Sequence, residues 1–170
     1  MSSLIKSWLV LGLIFGSFIV VSPYCHAENC PWLNAATAGG VLGGTVVARL
    51  THTTPENMTC DYTLEREGSK SSLKIAVRTS STSQKDFQNA RSSCGATSTP
   101  LRGIGNEAVE CTLSEMAGYS TEQIIGRVRD RVFILKWSAR KTGDRSHAED
   151  LDGSESIIRN VAEQIAGSLF

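Results

Sequence analysis

Three histidines and four prolines in 170 residues are few, and basic residues (17) do not outnumber acidic ones (17). Each shortage excludes something. A formal net charge of +0 removes the bulk positive potential that drives nucleic-acid binding. Four Pro beside fifteen Gly exclude collagen-like and proline-rich chains. No Cys-x-x-Cys pair occurs, so a zinc centre lacks its ligand spacing. No Gly-x-Ser-x-Gly elbow occurs either. Gly103-Ile104-Gly105 lacks the third glycine and the Lys of a phosphate loop, and no strand is expected before it. It reads as a turn that needs a permissive backbone. What remains, 41% hydrophobic and 20% charged, is an ordinary globular chain of one domain.

The first 27 residues read as a secretory signal peptide. Lys6 supplies the positive start, and Trp8–Val21 is an unbroken apolar and small-residue run. That run falls short of the ~20 residues of a bilayer span. Pro23 breaks it, and Ala27 is the small residue before the cut. An uncleaved N-terminal anchor is the alternative. Cys25 follows the bulky Tyr24, which fits a lipidation signal badly. Residues 28–170 then form a single exported domain, periplasmic or secreted. Its 143 residues would bury roughly 68–70% of their unfolded surface.

That domain holds four cysteines: Cys30, Cys60, Cys94 and Cys111. An even number in an exported chain implies two disulfides. Asn34 caps a helix over 35–42, ended by Gly43-Gly44. Alternation predicts strands over 45–53, 59–67, 72–79 and 107–113, and a hairpin of 122–129 with 131–139 around Asp130. Gly95–Arg102 reads as loop. The 131–139 strand is apolar on both sides, which predicts a central position covered on both faces. Ser83 and Asp86 resemble a capping box for a helix carrying Phe87, Ala90 and Cys94 on one face. A charged loop over 140–153 leads to a last helix, capped by Asp152 with Glu155, that carries Ile157, Ile158, Val161, Ile165 and Leu169. The expected fold is α+β. Its antiparallel sheet has about six strands with helices packed on it, in the order α-β-β-β-α-β-β-β-α. Cys30 precedes the first helix and Cys94 ends the second, while Cys60 and Cys111 point inward from strands. Pairing in chain order, Cys30–Cys60 and Cys94–Cys111, ties each helix end to the sheet. Closing such loops is worth roughly 3–4 kcal/mol each.

Cys30-Pro31-Trp32-Leu33, the Ala-rich helix to Leu42-Gly43 and the strand Cys60-Asp61-Tyr62 resemble a family of small exported domains among actinobacterial Lpq-type cell-envelope lipoproteins. Leu101-Arg102-Gly103-Ile104-Gly105-Asn106-Glu107-Ala108 is similar to that family's Leu-x-Gly-Leu-Gly-Asp-Glu-Ala turn. The resemblance spans most of the exported chain. It implies an α/β sandwich, a bridge between the first and second Cys, and no known catalysis. A lipidation site like the family's is missing here.

Chemistry has few candidates. His52 sits at the end of its strand's apolar face, as a semi-buried structural residue. His147 lies among Asp144, Glu149, Asp150 and Asp152. The calcium-loop template fails there, because Ala148 and Arg159 fall where ligands belong. No metal and no cofactor is expected. Arg127, Arg129 and Arg131, with Lys136, Arg140, Lys141 and Arg145 nearby, form the one marked charge asymmetry. With Trp137 they could offer an anionic ligand a surface; the plainer reading is a solubilising sheet face that guards an edge. The expected function is a non-enzymatic binding or accessory domain of the cell envelope, monomeric, with an envelope protein, lipid or glycan as partner and at most peripheral membrane contact. A hydrolase with a scattered site and a small secreted inhibitor or effector are the alternatives. The first prediction concerns export: N-terminal sequencing of the exported protein reads Glu-Asn-Cys-Pro. Intact Met1 in a membrane fraction rejects cleavage after Ala27.

Overall fold

The computed structural model describes residues 30–66, 69–95, 98–116, 118–140 and 148–170, with side chains of 114–116 and 148–155 excepted. The proposed signal segment, Gly68, Lys141, Asp144, Arg145 and His147 lie outside the described residues, as do the side chains of the proposed caps Asp152 and Glu155. The first helix, α1 (Ala35–Leu42), starts where expected. Asn34 accepts from the Thr37 N–H, and Gly43 closes the helix at φ 81°. That left-handed value suits glycine because no Cβ crowds the next carbonyl.

Three strands follow, β1 (Val47–Thr54), β2 (Asn57–Arg66) and β3 (Ser69–Thr79). Helix α2 (Ser83–Ser92) comes next, then β4 (Thr99–Leu101), β5 (Glu107–Met116), β6 (Tyr119–Val128), β7 (Arg131–Arg140) and α3 (Ala148–Ser168). The order is therefore α-β-β-β-α-β-β-β-β-α, and the sheet has seven strands rather than about six. The added strand, β4, falls in the segment expected to be loop. Three residues are too few to show alternation, and Pro100 reads as a breaker. Proline is tolerated there because β4 is an edge strand, where one missing N–H costs no ladder bond. Residues 148–153, expected in the charged loop, are helical. The proposed capping box also changes: Ser83 is the first helical residue, and its hydroxyl donates 2.9 Å to the Arg129 carbonyl across the molecule.

All neighbours pair antiparallel in the order β1-β2-β3-β7-β6-β5-β4. The doubly apolar strand β7 is fourth of seven, the centre of the sheet. One face carries Tyr62, Leu73, Ile75, Ile124, Phe133 and Leu135 against Trp32, Leu33 and Ala38 at α1 and Ile158, Ala162 and Ile165 of α3. The other carries Val109, Cys111, Ile125 and Val132 against Phe87 and Cys94. Burying such side chains stabilises by about 1.5–3 kcal/mol each, so both faces supply cores. Gly126 opposes Phe133 across β6 and β7, and the Phe133 ring occupies the space a Cβ would need. Gly105 holds φ 63° beneath the Arg127 carbonyl, 2.5 Å from where a Cβ would stand.

Two disulfides join Cys30 to Cys60 and Cys94 to Cys111, with Cα separations of 5.9 and 5.6 Å. The first holds the segment before α1 on β2, and the second holds the end of α2 on β5. The buried Tyr62 hydroxyl adds a second tie at the first position by donating to the Leu33 carbonyl.

Non-reducing peptide mapping recovers Cys30 with Cys60 and Cys94 with Cys111, and replacing one partner costs roughly 2–5 kcal/mol in denaturant unfolding. Tyr62→Phe leaves the Leu33 carbonyl without its donor and costs about 1–3 kcal/mol in the same measurement. Burial pushes the Tyr62 hydroxyl up to about 12 from its ordinary 10.0. A raised folded-state value favours the protonated form, so its stabilisation is complete below pH 10 and disappears as pH rises through about 12. Alkaline unfolding curves show this fall in the native protein and a flatter profile in Tyr62→Phe.

Candidate functional site

Helix α2 is short and covers only part of its face. Phe87, Ala90 and Cys94 pack on β5, β6 and β7, and among the described residues no helix covers the β1–β2–β3 half of that face. Its side chains follow the period-2 alternation of the strands: Arg49 and Thr51 from β1, Thr59, Asp61 and Thr63 from β2, Ser72, Lys74, Ala76 and Arg78 from β3. These are mostly polar, as an open antiparallel face requires.

Where the open half meets α2 there is a groove of about 470 Å³. Ala76, Val132 and Ile134 form an apolar floor, with Asn57, Thr59 and Arg78 on the β2–β3 side and Asp86, Asn89 and Ala90 on the helix side. Arg78 Nε lies 4.0 Å from Asp86 Oδ2, so the charges at that end compensate each other. The rows of the sheet run on from the floor. Arg49, Asp61, Lys74 and Lys136 are successive cross-strand partners on β1, β2, β3 and β7. Lys74 Nζ lies 3.4 Å from Asp61 Oδ1. Among the described residues neither Arg49 nor Lys136 has an ion-pair partner. Lys74 and Lys136 stand directly opposite each other, an arrangement of like charges that a sheet does not favour.

The arginines singled out from the sequence gather at the other end of β6 and β7, each in an internal contact. Arg127 Nε donates 2.6 Å to Glu107 Oε1. Arg129 donates 2.6 Å to the Phe170 main-chain oxygen and lies 5.5 Å from the centre of its ring. Arg131 donates 3.3 Å to the Leu169 carbonyl. Trp137 is six residues along β7 from Arg131, roughly 20 Å at the rise of a strand. It packs against the α1 and α3 core, so the structure does not bring it to the arginines. Lys136 projects to the opposite face from Trp137, into the open row. His52 is exposed on β1 rather than semi-buried. Among the described residues no group of three or more His, Cys, Asp or Glu could hold a metal ion, and no helix is long and apolar enough to cross a membrane.

The Lys74–Lys136 juxtaposition escapes sequence reasoning. Alternation places Lys74 outward on its own strand, but nothing local says that β7 lies beside β3. No protein-family model matches the chain, and no curated protein does. Among solved structures it is similar to a deswapped triple mutant of bovine odorant binding protein, at 11% identity over 77% of this chain and 76% of that one, with a TM-score of 0.23. It is also similar to odorant binding protein OBP1, at 8% identity over 74% and 75%, with a TM-score of 0.21. Likeness at that level carries no argument about ligand or fold, so the groove stands on its own geometry.

The contacts at Phe170 and Leu169 give a testable expectation. Arg129→Ser with Arg131→Ser loosens the last turn of α3. Amide exchange at 165–169 accelerates about tenfold, while exchange in β3 and β7 is unchanged.

Proposed function

We propose that this protein is an exported, non-enzymatic binding or accessory domain of the cell envelope, and that it holds its ligand in the groove beside α2. The carrying observation is the half-covered sheet face. An apolar floor on central strands lies open beside the helix, with a volume in the range of roughly 300–1,000 Å³ typical of small-molecule sites. The two disulfides support an oxidising compartment, and the N-terminal segment supports export. A rigid floor suits binding: β3 and β7 are paired on both sides along the groove, so little order is lost when a ligand enters.

A second reading puts an anionic envelope component at Arg127, Arg129 and Arg131. Its support is local: exposed Arg129 stands beside Phe170, an apolar side chain left 62% exposed.

The test is an NMR titration of the exported protein with small amphiphiles of neutral, positive and negative charge. Amides of Thr59, Ala76, Asn89 and Ile134 shift saturably. Ala76→Trp, which fills the floor, abolishes the shifts without altering the amide pattern of β5 and β6. If no amphiphile of any charge moves these four amides, the groove is not the site.

A further inference from the structure

We infer that the groove selects amphiphilic anions of medium length, with the apolar body over Ala76 and Ile134 and the anionic head just beyond the groove's lining, on the Lys74–Lys136 pair next along β3 and β7. This rests on the groove being the ligand site.

Three cross-strand pairs follow one another along β3 and β7. Arg78 faces Val132, Ala76 faces Ile134, and Lys74 faces Lys136. All project to the face that α2 only partly covers. At the first pair the cation is compensated by Asp86. At the second the floor is apolar. At the third two ammonium groups meet, and the nearest carboxylate, Asp61, sits between Lys74 and Arg49 in the same row. Three cations therefore share one carboxylate in that row, and Lys136 has no ion-pair partner among the described residues. An anion placed between Lys74 and Lys136 turns their repulsion into two charge-assisted hydrogen bonds.

Geometry sets the ligand's size. Neighbouring strands are roughly 4.8 Å apart, so two flexible lysine stems can converge on one carboxylate or phosphate. Alternate residues of a strand are roughly 6.6 Å apart, so a body running from the lysine pair to the Arg78 pair spans about 13 Å. An apolar body of that length fits the floor. A cationic head is repelled at one end, and a neutral head leaves Lys136 as it was. A carboxylate and a phosphate monoester share the required chemistry, and separate arms of the experiment tell them apart.

Isothermal titration calorimetry of the exported protein uses decanoate, decyl phosphate, decanol and inorganic phosphate, below micelle-forming concentrations and at low and high salt. The proteins are the native chain, Lys74→Gln with Lys136→Gln, Ala76→Trp, and Arg127→Ser with Arg129→Ser and Arg131→Ser. Circular dichroism confirms that each keeps its sheet. The native protein binds decanoate or decyl phosphate about tenfold more tightly than decanol, and the double Gln variant loses that preference while keeping decanol binding. The head preference also weakens as salt rises. The arginine variant binds as the native protein does. Equal binding of decanoate, decyl phosphate and decanol by the native protein overturns the lysine assignment and leaves the groove as the ligand site. Failure of all three decyl compounds overturns the groove itself. Saturable binding of inorganic phosphate as tight as that of decyl phosphate reduces the site to an anion site and overturns the amphiphile. Loss of decanoate binding in the arginine variant alone moves the head to the other end of the sheet.

Discussion

The structure depends on the pairing of β3 with β7. Eight residue pairs, from Ser72 with Ser138 to Thr79 with Arg131, join two antiparallel meanders that are otherwise separate runs of the chain. Without it, β1–β2–β3 and β4–β5–β6–β7 would be two small sheets with exposed inner edges, each short of a core. With it, Leu73, Ile75 and Val77 become continuous with Phe133 and Leu135, and α1 and α3 find one apolar surface to cover. The pairing closes a loop of some fifty residues, so its entropy must be offset by burial on both faces. The Cys94–Cys111 bridge reduces that cost by restraining the intervening segment.

The two faces are covered unequally, and the groove is the consequence. Helix α3 and the segment leading into α1 bring Trp32, Leu33, Ile158, Ala162 and Ile165 to one face, where they bury Leu73, Ile75, Phe133 and Leu135. The ten residues of α2 bring one large apolar side chain, Phe87, to the other, and Cys94 just beyond the helix adds the disulfide. A helix of that length and composition cannot shield seven strands. The strands it leaves open carry serine, threonine, lysine and arginine instead of isoleucine, and the boundary between the covered and open halves is where Ala76 and Ile134 meet solvent. The arginines at the far end serve the covered face, since Arg129 and Arg131 hold main-chain oxygens at the end of α3.

Much of this was legible one strand at a time. Period-2 alternation identified the long strands, because each has one face in a core. The apolar character of β7 on both sides announced its central position, since only a central strand is covered twice. Asn34 and Gly43 marked α1, because capping is a local hydrogen-bond problem. The cysteine order matched the bridges, since each pair joins a helix end to a nearby strand. The misses are also physical. Thr99–Leu101 is too short for a pattern, and its proline is harmless only because the strand is an edge. Ser83 has the chemistry of a cap but spends its hydroxyl on Arg129, a partner 46 residues away. The arginine cluster was visible as charge, but its use could not be seen: Glu107, Leu169 and Phe170 reach it only through the fold.

Local chemistry therefore determined which of the longer segments are strands and helices, which side of each is apolar, and which cysteines could staple them. Those properties depend on neighbours a few residues away. Tertiary structure alone decided that β3 lies against β7, because strand partnership is a competition among whole surfaces. It thereby decided that Lys74 faces Lys136, that Lys136 and Trp137 lie on opposite faces, and that α2 stops short of the open half. The candidate site is made of residues from β2, β3, α2 and β7, and no stretch of sequence contains it.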